Sequence, residues 1–295
     1  ASMPTPDFTL ASQYIQHIGD QIAAKGVAVP LWLQQSGLPG NWLEEPTPGI
    51  SLPVLERLVG EAISMTREPA IGLLVGERLL VNTHGMLGYA AMSSVTIRQM
   101  LELFEHFIRL RIALITARHE VHADEVRLRF TEVLPLGDIR RPVLECVLLA
   151  VKNVLDFITM GTCRISYIAF PFERPDYAVL AEGLFKCEVR YGQSWAGFSM
   201  PPEQLDTPLK MADPAAFQEA ALICRRELDK LSANESLSAR VQRVLLEKQN
   251  GFPSLAVTAR LFHMTPRTLH RRLQQEGTSF QDILEQIRHT LALEH

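Results

Sequence analysis

An α+β domain followed by an all-α domain is what this chain predicts, and three observations carry that expectation. Strand-like and helix-like runs are interleaved over the first two thirds. Ser232–Ser236, SANES, is loop-forming by composition. Ser254–Gly277 spells two short helices joined by a tight turn.

Taken in order, the first marked features are the glycine-containing stretches Gly72–Gly76 and His84–Gly88. They lack the Lys-Ser/Thr of a phosphate loop and the spacing of a dinucleotide fingerprint, so they predict backbone turns or close packing. Thr96–Thr116 reads as one long amphipathic helix, capped by Thr96, with Ile97, Leu101, Phe104, Ile108 and Ile112 near helical spacing. Ile115–Val121 and Glu125–Val133 alternate apolar and polar residues around His122-Ala123-Asp124, which predicts a hairpin. An apolar helix is expected over Val143–Met160, a strand over Cys163–Phe170 and a short helix over Tyr177–Phe185. Strands follow at Cys187–Tyr191 and Trp195–Met200, with Gly192 in a tight hairpin turn between them. Pro201-Pro202 and the stretch DTPLKMADP end the domain, and Ala215–Leu231 forms a closing helix.

The terminal motif can be built residue by residue. Ser254 caps a helix whose apolar positions Leu255, Val257, Ala259 and Leu261 leave Thr258 and Arg260 for solvent. Phe262-His263-Met264 makes the turn, and Thr265 followed by Pro266 is an N-cap with proline at the first helical position. In the second helix Leu269 and Leu273 serve the core, while Arg267, His270 and Arg271 project from other sides. Arginine so placed can make a bidentate contact with guanine in the major groove, worth roughly 1–3 kcal/mol of discrimination.

Composition bounds the rest. A chain of 295 residues is expected to bury roughly 75% of its unfolded surface and to divide into two domains. There is no apolar run of roughly 18 residues and no basic-then-apolar leader, so neither a membrane span nor a signal peptide is expected and the cytoplasm is the predicted location. Cys146, Cys163, Cys187 and Cys224 lack C-x-x-C spacing, which argues for reduced thiols over zinc or disulfides. The net charge is −4, but Asn234–His295 carries eight Lys+Arg against six Asp+Glu, so the basic end is the expected DNA end. No catalytic set, metal site or cofactor is expected. Gly192-Gln193-Ser194-Trp195-Ala196 departs from G-x-S-x-G at its last residue and lacks a strand-to-helix elbow. His119 and His122 have no third ligand and read as a solvated hairpin-tip pair.

HMTPRTLHRRLQQEGTSFQDILEQIR, including the Gly277-Thr278-Ser279-Phe280 step, resembles the first helix-turn-helix of AraC-type transcription regulators. That resemblance implies that Arg267 and Arg271 face bases with His270 near them, and that Phe280 packs in the subdomain core. The DNA-contacting set it suggests is Thr265, Arg267, Thr268, His270, Arg271 and Arg272. Such regulators carry two of these units joined by a long helix, whereas this sequence holds one. Leu293-Glu294-His295 reads as the start of a polyhistidine tag, so a shortened chain that contacts a single groove segment, and binds DNA weakly, is expected.

GLLVGERLLVNTHGMLGYAAMSSVTIRQMLELFEHFIRL and AFPFERPDYAVLAEGLFKCEVRYGQSWAGFSMPPEQLDTPL are similar to the arabinose-binding-type sensor domain of the same regulators. The two resemblances together imply an effector-sensing α+β domain over 1–232, a linker over 233–236 and a helix-turn-helix subdomain over 237–292 that includes the start of the joining helix. They imply a regulator, more often an activator, responding to an amino-acid-like or lipid-like effector. Partners so implied are double-stranded promoter DNA, a second copy of the chain and RNA polymerase. His84, Tyr89 and Trp195 lie in the sensor-like stretches and could supply an aromatic wall with one hydrogen-bonding group. The competing expectation is a ligand-binding or protein-interaction module whose terminal motif contacts a protein; steep salt dependence of DNA binding separates the two.

Overall fold

The computed structural model describes residues 10–44, 50–246 and 251–292. Leu293-Glu294-His295, read above as a tag remnant, lies outside them. Six helices come first: α1 (Ser12–Ala24), α2 (Val29–Gln35), α3 (Leu52–Thr66), α4 (Ile71–Arg78), α5 (Gly85–Met92) and α6 (Ile97–Phe107). After a 3-10 turn at Ile108–Leu110 come β1 (Ile115–Val121), β2 (Val126–Glu132), α7 (Arg140–Ile158), β3 (Tyr167–Ala169), α8 (Ala178–Phe185), β4 (Glu188–Arg190), β5 (Ala196–Met200) and α9 (Pro214–Asn234). The chain closes on α10 (Leu237–Leu246), α11 (Leu255–Leu261), α12 (Pro266–Gln275) and α13 (Phe280–Ala292). An α+β domain is thus followed by a helical one, each around its own core: one cluster gathers buried residues from Leu10 to Cys224, another from Leu237 to Ile287.

The α6 helix begins as expected, with the Thr96 hydroxyl accepting from the Gln99 amide at 3.2 Å. It ends at Phe107, nine residues before the expected Thr116. The run Ile108–Ile115 is apolar enough to extend a helical pattern, yet Ile115 is already paired with Glu132 across the hairpin. Continuous apolarity does not separate a buried turn and strand from a helix.

Among the described residues five strands form one sheet in the order β1-β2-β5-β3-β4, antiparallel except for the parallel pair β3–β4. The predicted β1–β2 hairpin is present. The predicted hairpin of Cys187–Tyr191 with Trp195–Met200 is not, because β3 lies between β4 and β5. Gly192 does turn the chain, with φ of 66°, but it carries it over the end of β3; its amide donates to the Phe172 carbonyl at 2.9 Å. The expected strand Cys163–Phe170 shrinks to three residues, since at Arg164 the Gln204 amide side chain replaces a strand partner, bonding both backbone groups at 2.7 Å.

Helices α4 and α7 touch backbone to backbone, the close packing expected of Gly72–Gly76. A β-carbon on Gly72 would stand 2.3 Å from the Pro142 carbonyl oxygen. Gly72→Ala must therefore push the helices apart, and overpacking of this kind costs about 1–3 kcal/mol. We expect its thermal midpoint to fall by several degrees, while Gly60→Ala in α3, where nothing lies within 4 Å, leaves it unchanged or raises it. Equal midpoints for the two variants would refute the close-contact account.

In the helical domain Ser254 and Thr265 cap α11 and α12, each accepting from a backbone amide three residues on at 3.2 Å, and Pro266 occupies the first turn of α12. Leu269, Leu273 and Phe280 are buried as expected. The face assigned to α11 is corrected: Thr258 is fully buried with Ala259, whereas Val257 and Leu261 are exposed. Leu255, Val257, Ala259 and Leu261 alternate with period two, and a helix cannot hold such a set on one face.

Candidate functional site

Two places combine exposed or cavity-facing chemistry with defined geometry. The first is α12. Its N-terminus is fixed by Thr265, whose hydroxyl lies 2.9 Å from that of Thr268 and accepts the Thr268 amide. With Leu269 and Leu273 turned into the core, Arg267, His270, Arg271 and Arg272 are all exposed. Arg272 reaches the Met264 sulfur at 3.8 Å, and no carboxylate among the described residues forms an ion pair with any of the three arginines. His263 makes the tight turn with φ of 55°. One anchor escapes the sequence motif: Glu276, just past α12, accepts the Leu237 and Ser238 amides at 2.7 Å each. A carboxylate thus caps α10 from another helix, a tertiary contact that local spacing does not announce.

The second is a cavity of about 130 Å³ in the α+β domain, walled by α1, α3, α4, α6 and α7. Its lining is apolar, Phe104 and the Cys146 thiol included, except at one end, where Tyr14, His84 and Arg111 meet. The Tyr14 hydroxyl lies 2.7 Å from His84 Nδ1, and Arg111 Nε donates to that hydroxyl at 3.0 Å. With the oxygen accepting from arginine, the hydroxyl proton points at Nδ1, which makes Nδ1 the acceptor and leaves the imidazole proton on Nε2. Burial, then the charge of Arg111, then His17 push His84 down to about 4, so the ring is neutral at physiological pH. Burial likewise raises the Tyr14 phenol.

The three sensor-domain residues suggested by sequence are not brought together. His84 lines the cavity. Tyr89 is 47% exposed on α5 and is not part of the lining. Trp195 is buried elsewhere, in a small cluster with Tyr167 and Ala169 beneath the Arg127 guanidinium, 4.6 Å from its ring. Sequence reasoning missed Tyr14 and Arg111. The signal for Arg111 was available: a cation embedded in the apolar run Phe107–Ile115 needs a reason to be there. The His119–His122 pair is also corrected, since His119 Nδ1 approaches Glu105 Oε1 at 2.5 Å, a contact that raises the imidazole. Only His122 is solvated.

No helix among the described residues is long and apolar enough to cross a membrane. Residues 26–209 match the family described as "Arabinose-binding domain of AraC transcription regulator, N-term". The chain is 28% identical over 282 residues to the ornithine utilization regulator of Pseudomonas aeruginosa, covering 96% of this chain and 83% of that protein. It is 25% identical over 229 residues to the HTH-type transcriptional regulator VqsM of the same species, covering 75% and 70%. Its fold is similar to the crystal structure of the transcriptional regulator CdpR from Pseudomonas aeruginosa, with a TM-score of 0.52 at 23% identity over 94% of this chain and 83% of that one. An arabinose-binding-type domain on a helix-turn-helix, matched by regulators over most of its length, is not an enzyme's architecture: the chain belongs to the AraC-type transcription regulators and is a DNA-binding regulator with an effector-binding N-terminal domain.

Proposed function

We propose that the effector occupies the cavity beside His84 and Arg111, and that its binding sets how α12 meets promoter DNA. In this reading residues 1–232 sense, 233–236 link, with α9 reaching Asn234 where the composition of Ser232–Ser236 suggested loop, and 237–292 read DNA through Arg267, Thr268, His270, Arg271 and Arg272, with Thr265 ordering the helix start. The regulator acts as a cytoplasmic homodimer that activates transcription by RNA polymerase in response to an amino-acid-like or lipid-like molecule.

The observation that carries this reading is the 3-10 turn Ile108–Leu110. Ile108, Arg111 and Ile112 line the cavity, while Arg109, between them in sequence, pairs with Glu235. Glu235 and Ser236 are all that separates α9 from α10, and Glu235 also meets Arg243 of α10 at 3.2 Å. Gln242 of α10 adds a bond to the Val133 carbonyl at 2.9 Å. One turn of backbone therefore touches both the ligand space and the junction. An effector can shift DNA binding only by its differential affinity for the two arrangements, typically about 1–3 kcal/mol.

Arg271→Ala tests the DNA-reading half. Binding to a panel of operator variants should lose preference at one base-pair position by about 1–3 kcal/mol while the salt slope barely changes. Uniform losses across the panel, with a shallower slope, would demote Arg271 to a phosphate contact.

A further inference from the structure

Resting on the reading that the cavity is the effector site, we propose that its ligand is a small apolar monocarboxylate, its carboxylate against Arg111 and His84, which Tyr14 orders, and its hydrocarbon body among the α4 and α7 side chains. Three features of the cavity carry this. Arg111 is half-buried, and its bonds run to neutral oxygens: the Tyr14 hydroxyl at 3.0 Å, the Thr83 carbonyl at 3.0 Å and the Gln13 side chain at 3.2 Å. Among the described residues no carboxylate pairs with it, whereas eleven other Arg and Lys side chains do find one. A guanidinium at one end of an apolar space, its charge uncompensated by any of those three bonds and its Nη1 donors outside them, is a receptor for a carboxylate.

The lining then selects against the other chemistries. Among the described residues, apart from the Cys146 thiol, the polar side chains facing the space are Tyr14, His84 and Arg111, and none is acidic. An α-amino acid would bring an ammonium group with no anion to receive it, and burying an unpaired ammonium costs several kcal/mol. A sugar would strand its hydroxyls against Val75, Val147 and Val151. A space of about 130 Å³ is near the size of apolar cavities that admit a benzene-sized guest, so the hydrocarbon body has on the order of six carbons. Neutral His84 adds a hydrogen-bonding partner without adding a second positive charge, which matches a monoanion.

Isothermal titration of the full chain with butanoate, hexanoate, octanoate and benzoate, against hexanol, hexylamine, leucine and ornithine, tests this. The expected result is carboxylate binding that tightens about fourfold per methylene until the space is full, with the alcohol at least tenfold weaker and the amine and amino acids silent. Arg111→Gln should erase the preference of carboxylate over alcohol, and Arg111→Lys should restore part of it. Should either variant fail to fold, the ligand series on the unsubstituted chain still decides. Tighter binding by leucine or ornithine, no binding by any carboxylate, or carboxylate binding indifferent to Arg111→Gln overturns the inference. Operator binding measured alongside separates the two readings. An amino acid that binds and alters DNA affinity keeps the sensor and sinks the carboxylate; a carboxylate that binds through Arg111 and leaves DNA affinity unchanged does the reverse.

Discussion

Leu269→Ala is expected to unfold the helix-turn-helix unit and abolish DNA binding while the α+β domain stays folded. Leu269 is fully buried in a core that counts ten residues among those described, and truncating such a leucine costs about 2–5 kcal/mol. A unit this small has only a few kcal/mol of net stability to lose. The chain reports on its two cores separately, because Trp32, Trp42 and Trp195 all belong to the larger domain. In a urea titration, circular dichroism should show helix lost at low denaturant while the tryptophan transition keeps its midpoint. The exposed Leu261 provides the contrast, its alanine variant changing little. If tryptophan fluorescence moves together with the helix signal, the junction around Glu235 binds the domains into one cooperative unit and the separable account fails.

Glu145→Gln is expected to stabilise the protein at pH 8 by about 3 kcal/mol and to remove a pH slope. Glu145 is fully buried on α7 and accepts the Tyr177 hydroxyl at 2.7 Å; its other oxygen is without a partner. Burial lifts it to about 7, against the opposing pull of the Tyr177 bond and the Arg141 charge. A carboxyl whose folded value is raised binds its proton more tightly in the folded state. Its contribution is complete below about 4.5 and lost as pH climbs through 7, at about 1.4 kcal/mol for every pH unit that separates those two values. His84 acts oppositely: its value falls to about 4, so stability is lost as pH drops from 6.5 towards 4. The two slopes offset each other in acid. Thermal melts of Glu145→Gln from pH 5 to 8 should lack the Glu145 decline towards 7 and expose the His84 slope below 6.5, leaving above it only the decline set by the raised His119 imidazole; a variant that parallels the parent throughout would show Glu145 ionised and compensated.

Elements set by local chemistry were legible in the sequence. The caps at Thr96, Ser254 and Thr265, the alternating hairpin and the Leu269–Leu273 spacing need only neighbours a few residues away. What depends on distant packing was not. Nothing local places β3 between β4 and β5, because strand order is decided by which faces find each other across the sheet. The end of α6 was hidden by an apolar run that suits helix, turn and strand alike. The cavity was missed for the same reason: Tyr14, His84 and Arg111 are far apart in sequence, and α1 to α5 carry few of the signals that make single helices readable. Aromatic content pointed instead to Tyr89 and Trp195, one facing solvent and the other filling a separate pocket of core.

The arrangement around Ile108–Leu110 has a consequence for how such a sensor can change its input over generations. The residues that would grip a ligand's body belong to α4 and α7, while the residue that grips the junction belongs to the short turn. Substitutions at Val75, Val147 or Val151 can reshape the space for a new inducer without touching Arg109 or Glu235. If the cavity is the effector site, recognition and output are written in neighbouring but separate residues, so a lineage could acquire a new inducer by point mutation while keeping its old response.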